Sequence, residues 1–165
     1  MEARPRIKLA LSPTDTMFEF TGWAALAGVW VLAVVNYSSL PDVIPIHFNA
    51  AGESDSFGGK GNILILSFVA TMIFIGLTIL NKFPHVFNYP ASLTKENAPA
   101  QYTHATRMIR FLKMTLVIVF GLIVFKIIQN ANAQSDGLGV WFLPFVLGLI
   151  LIPAAYFIIK STRIK

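Results

Sequence analysis

The sequence predicts an all-α integral membrane protein, one domain over residues 1–165, with four crossing helices and an ordered loop between the first two. Three observations carry that prediction. Hydrophobic residues make up 55% of the 165 and charged residues only 13%, about half the charged share of an ordinary soluble domain. A water-soluble fold this small cannot bury so much apolar surface. Four apolar runs, Met17–Val35, Ile63–Leu80, Leu112–Ile128 and Val140–Ile159, each suit about 30 Å of hydrocarbon at about 1.5 Å per helical residue. Lys and Arg, finally, gather in one set of connections, as they do on the cytoplasmic side of membrane proteins.

With their flanks the four spans fall at 13–36, 62–81, 110–129 and 140–160. None alternates apolar with polar residues, so a membrane barrel is excluded. The first run is too long for a signal-peptide core, and "VVNYSS" after it offers no small-x-small cleavage site. Its start is marked by "SPTD": Ser12 caps, Pro13 suits the first helical position, and Asp15 stands three residues after the cap. Gly22, Ala24, Ala25 and Gly28 give this helix a small-residue face for close packing. The third span reaches full length only through Lys113, whose stem can snorkel to the interface. Glu19 and Lys126 are read the same way, as interface residues at the ends of their spans. In the fourth run Pro144 sits harmlessly in the first turn, while Pro153 lies deeper and is expected to kink the helix.

Arg4, Arg6 and Lys8, then Lys82, Lys95, Arg107, Arg110 and Lys113, then Lys160, Arg163 and Lys165 put eleven of the 13 basic residues on one side. Both termini and the middle loop, 82–109, are therefore expected in the cytoplasm, and the loop 37–61 outside. The net charge of +5, placed beside apolar segments, points to the lipid bilayer and its anionic headgroups as partner, and not to nucleic acid. With no cysteine in the chain, disulfides and thiolate metal sites are excluded. No cofactor is expected.

In the outer loop, "LPDVIPIHF" is not helical, because Pro41 and Pro45 push their preceding residues toward extended backbone. Ile44, Ile46 and Phe48 then alternate with Pro45, His47 and Asn49, an extended piece with one apolar edge. "NAAGESDSFGGKG" follows, with a turn at Asn49–Gly52, short acceptors at Ser54, Asp55 and Ser56, and glycines at 58, 59 and 61. "GGKG" is not a phosphate loop, since Ser54 stands where the first glycine of that pattern belongs and Gly61 replaces its hydroxyl residue. His47, Glu53 and Asp55 are weak candidate metal ligands without a recognised spacing. His47 with Asp55 could orient an imidazole for catalysis, but no nucleophile is marked. The preferred reading is structural: His47, Asn49, Asp55 and Lys60 hydrogen-bond the loop into one shape that a partner can recognise.

In the middle loop Phe83, Phe87 and Tyr89 suit the membrane interface. Asn97 is placed to cap a helix with Pro99 in its first turn. Ala98, Tyr102, Ala105, Ile109 and Leu112 form its apolar face, and Arg107, Arg110 and Lys113 fall on other faces. The segment reads as an amphipathic extension of span three lying on neighbouring helices or headgroups.

The outer loop resembles the signature of a bacterial membrane family, domain of unknown function 1648, whose members read like LP-x-x-IP-x-HFN-x-x-G-x-x-D-x-x-G-x-K after a first transmembrane helix. The matching residues are Leu40, Pro41, Ile44, Pro45, His47, Phe48, Asn49, Gly52, Asp55, Gly58 or Gly59, and Lys60. "FNYP", which contains Asn88, Tyr89 and Pro90, with Thr94, Glu96, Asn97, Ala98, Gln101 and Tyr102, is similar to the middle loop of small four-helix members. The same domain occurs in larger SdpI-type immunity proteins, so the resemblance implies a role in sensing or sequestering an extracellular peptide at a bacterial inner membrane. The expectation is a non-enzymatic multi-pass protein that recognises a peptide or other membrane proteins through the outer loop, or serves as an accessory subunit of a membrane complex. The alternative is a metal-dependent enzyme or small transporter using His47, Glu53 and Asp55.

Overall fold

The computed structural model describes residues 4–132 and 136–164. Lys165, counted in the charge balance above, lies outside them. Among the described residues four helices are long and apolar enough to cross a membrane: α1 Pro13–Asn36, α2 Asn62–Leu80, α3 Ala98–Ala131 and α4 Phe142–Thr162. Between α1 and α2 stand two antiparallel strands, β1 Val43–Phe48 and β2 Ser54–Gly59. The all-α expectation is corrected here. The loop is a β-hairpin, and Ser54–Gly59, read as a run of polar and flexible residues, is its second strand.

The helices run alternately up and down, giving a hairpin end and a tail end. α3 is the central helix and packs on α1, α2 and α4. Leu26, Val29 and Ala33 of α1, Ile63 and Phe74 of α2, and Val117, Val124, Ile127 and Ile128 of α3 form the main core. Leu40 and Ile44 enter the same core from the loop and β1, which seats the hairpin on the helix ends. Gly22 is the close-approach residue that the small face of α1 suggested, since a Cβ there would stand 2.8 Å from the Phe74 ring. Gly28 has open space around it and takes no part in that packing. Trp30 Nε1 donates to Thr71 Oγ1 at 2.9 Å, a further tie between α1 and α2.

The Ser12–Asp15 capping box is present at the start of α1. α3 begins at Ala98 and holds 34 residues, about 51 Å at 1.5 Å per residue. That exceeds a hydrocarbon layer of about 30 Å, so its first turns project beyond the crossing portion as an extension of span three. Asn97 occupies the N-cap position but makes no side-chain cap bond. Its Oδ1 accepts from Thr94 N and its Nδ2 donates to Ser92 O, tying down the preceding loop. α4 packs chiefly along α3, with only 6% of its most apolar window buried, and it continues as helix through Pro153.

Candidate functional site at the hairpin end

The hairpin turn is built by Asn49. Its Oδ1 accepts from Ala51 N at 2.9 Å and Glu53 N at 3.0 Å, its carbonyl accepts from Gly52 N, and its own N–H donates to Glu53 O. Gly52 has φ +79°, a backbone that glycine adopts without a Cβ penalty. A Cβ there would also meet the backbone of Gly139, 2.5 Å from its oxygen. The approach is that close because Leu138 N donates to Gly52 O at 2.6 Å, docking the α3–α4 connection on the turn. The sequence reading missed this contact; the "GLG" at 137–139, with Gly137 and Gly139 both at positive φ, was its only trace.

Along the strands Val43 pairs with Gly59, Ile44 with Gly58 and Pro45 with Phe57, after which the register slips and His47 faces Ser56. The slip breaks the expected apolar edge. Ile44 and Pro45 are buried, whereas Ile46 turns out to 42% exposure and Phe48 is half-buried. A residue inserted opposite a single partner reorients its neighbours in this way. A Cβ at Gly58 would meet the Ile46 side-chain tip at 2.9 Å, which the exposed Ile46 can relieve by turning. At the foot of the hairpin Lys60 pairs with Asp42 at 3.1 Å, reaches Leu40 O at 3.5 Å and lies over the Tyr37 ring. Pro41 is exposed beside it.

On the outward face His47 Nδ1 lies 2.5 Å from Asp55 Oδ1; since a carboxylate only accepts, that ring nitrogen carries the proton. The His47 side chain is 68% exposed. Glu53 does not join them, for its Oε2 accepts from Asn49 Nδ2 at 2.9 Å. Among the described residues no three His, Asp or Glu side chains come close enough to share a metal ion. The structure thus brings together two of the three weak ligand candidates.

The middle-loop candidates are dispersed. Asn88 and Pro90 are exposed. The Tyr89 hydroxyl donates to Pro84 O at 2.8 Å, and burial, reinforced by Tyr102, pushes its phenol well above the ordinary value, so it stays protonated as a donor. Gln101 is fully buried: Nε2 donates to Ser161 O at 2.9 Å and Oε1 accepts from Ser161 Oγ at 2.6 Å. Tyr102 is fully buried beside Tyr89. These two hold α3 to its surroundings.

At the tail end Lys113 and Glu19, both read as interfacial, prove to belong to an ion network with Asp15, Arg107 and Arg110. Lys113 is fully buried rather than snorkelling, and its Nζ donates to Glu19 Oε2 and Thr78 Oγ1, both at 2.7 Å, with the Phe74 ring 4.5 Å away. Arg110, 8% exposed, places Nε 3.2 Å from Glu19 Oε1 and Nη1 3.6 Å from Asp15 Oδ1. Arg107 Nε donates to Asp15 Oδ1 at 2.9 Å, and Nη2 to Ser12 Oγ and Asp15 Oδ2. Lys113, Glu19 and Thr78 each stand about 24–27 Å from the hairpin end of their own helices, counted at 1.5 Å per residue. The network therefore lies near the tail-side limit of a layer about 30 Å thick.

No solved structure matches this chain. An uncharacterized protein of Archaeoglobus fulgidus is 37% identical over 75 residues, an alignment that covers 41% of this chain and 41% of the relative. The chain thus spans less than half the length of that relative. Residues 24–73 match the model of the family described as "Domain of unknown function (DUF1648)", so the resemblance seen in the loop motif holds across the second half of α1, the whole hairpin and the first part of α2.

Proposed function

We propose that this is a multi-pass protein of the cytoplasmic membrane, with tails and middle loop inside, whose hairpin stands outside as a preformed recognition surface for an extracellular peptide or another membrane protein. The observation that supports this most is the contrast between the two faces of the hairpin. Leu40 and Ile44 are buried in the helical core, and Leu138 and Lys60 clamp the tip and the foot. The opposite face leaves His47, Phe57 and Val43 exposed, with Asp55 fixing the imidazole. A surface ordered before binding loses less entropy on contact than a floppy loop does. In its sharpest form the recognition is immunity-like, sequestering a secreted peptide, and the protein does no bond chemistry of its own.

Cells lacking the gene, challenged with secreted peptide toxins, test the immunity form; restored resistance should require His47 and Phe57. Unchanged sensitivity in the deletion strain would refute it. The metal-dependent alternative gains less from the geometry, because Asn49 holds Glu53 away from His47 and Asp55. Metal analysis of wild type against His47→Ala separates the two readings.

A further inference from the structure

We infer that the hollow between the N-terminal tail and the end of α2 binds a phosphate-bearing anion, and that its occupant in the membrane is an anionic phospholipid headgroup. The hollow, about 290 Å³, is lined by Arg6, Ile7 and Lys8 on one side and by Lys82, Phe83, Pro84 and His85 on the other. It is held open by specific bonds. Arg4 Nη1 donates to His85 O at 3.1 Å and Phe87 O at 2.6 Å, which straps the tail across the turn that follows α2. From the far side Tyr89 bonds Pro84 O and lies beneath the Arg4 guanidinium.

Among the described residues its charge has no partner of opposite sign: no carboxylate pairs with Arg6, Lys8 or Lys82, and none lines the hollow. At the same end of the bundle Arg107, Arg110 and Lys113 all have Asp15 or Glu19. Three like charges around a concavity concentrate positive potential and attract an anion. Position selects the source of that anion. Ile79 and Leu80, the lipid-facing last residues of α2, and Phe83 beside the cations are all exposed apolar groups. A lipid covers such surface with its glycerol and acyl region while its phosphate meets the cations. A free phosphate ion leaves it bare.

Native mass spectrometry of the purified protein, released from micelles holding equal phosphatidylglycerol and phosphatidylcholine, tests this. Wild type should retain phosphatidylglycerol over phosphatidylcholine by at least about tenfold. The triple variant Arg6→Gln/Lys8→Gln/Lys82→Gln changes only exposed side chains and should lose that preference, while Lys160→Gln/Arg163→Gln, the basic pair at the C-terminal end of α4, should keep it. Equal retention by wild type and the triple variant, or equal loss in both variants, would overturn the site. A second arm adds inorganic phosphate at about 10 mM; displacement of the lipid by phosphate at that level would overturn the lipid as occupant, and persistence of the lipid supports it.

Discussion

Replacing Lys113 by Met keeps the stem and deletes the ammonium, and it should destabilise the bundle by about 3 kcal/mol. At a contact of 2.7 Å the gross attraction between Lys113 and Glu19 is about 6 kcal/mol at an effective dielectric of about 20. Desolvation of a fully buried ammonium cancels much of it, and losing one partner of a buried pair typically costs 3–5 kcal/mol. The lower end applies here, because Glu19 is 24% exposed and can recover some hydration. Glu19→Gln alone leaves Lys113 buried with Thr78 and the Phe74 ring, and it should cost a similar amount. The double variant should cost less than the two singles together, with a coupling energy of about 2 kcal/mol. Reversible unfolding in mixed micelles of mild detergent and dodecyl sulfate, followed by the fluorescence of the three tryptophans, measures all four proteins. Strict additivity, or a Lys113→Met protein as stable as wild type, would refute the network as a clamp on α1, α2 and α3.

Gly52→Ala should cost at least about 2 kcal/mol, from the positive φ and from the overlap with Gly139, and should make the 137–139 segment more sensitive to protease; a neutral effect in both assays would contradict the docking of the turn. His47→Ala should change stability by no more than about 1 kcal/mol, as expected of an exposed pair, so a large shift in its unfolding midpoint would show that the pair is structural. Because the chain has no cysteine, single cysteines at Phe57 and Asn88 report topology cleanly. An impermeant maleimide on intact cells should label position 57 and not position 88, and the reverse pattern would invert the orientation. Gln101→Leu removes both bonds to Ser161 and strands its hydroxyl, so it should loosen α4 by about 1–3 kcal/mol, read as faster hydrogen exchange over 156–162.

The helices were legible because a bilayer leaves few choices: each long apolar run satisfies its backbone internally as a helix, and all four formed where hydropathy put them. The hairpin was half legible. β1 showed itself through Pro41, Pro45 and the β-branched residues between them, whereas β2, "SDSFGG", is made of residues with poor strand propensity. It is a strand because Asn49 and Gly52 fold the chain back onto β1, which is tertiary context and not local preference. The polar network was illegible for a related reason. One charged residue near a span end looks the same whether it snorkels or is packed. Only the crossing of α1, α2 and α3 makes Glu19, Thr78 and Lys113 neighbours, at sequence separations of 94 and 35 residues.

The same crossing bears on how recognition at one end could be felt at the other. A ligand shifts a protein only by what it gains in one arrangement over another. The body formed by α1, α2 and α3 offers little latitude for a second arrangement, since the core, Trp30–Thr71 and the ion network join it along its length. α4 is different. It is the least buried helix, packs chiefly on α3, and is tethered at both ends of the bundle: Leu138 N bonds the hairpin turn just before it starts, and Ser161 bonds Gln101 as it finishes. His104 Nε2 adds a 2.8 Å bond to Phe157 O. A partner that binds the hairpin tip therefore meets two routes, one to α4 through Gly52 and Leu138 and one to the three-helix core through Leu40 and Ile44. Of the two routes, the one through α4 crosses fewer packing contacts, so α4 is the element with more freedom to take a second arrangement while both of its ends stay tethered.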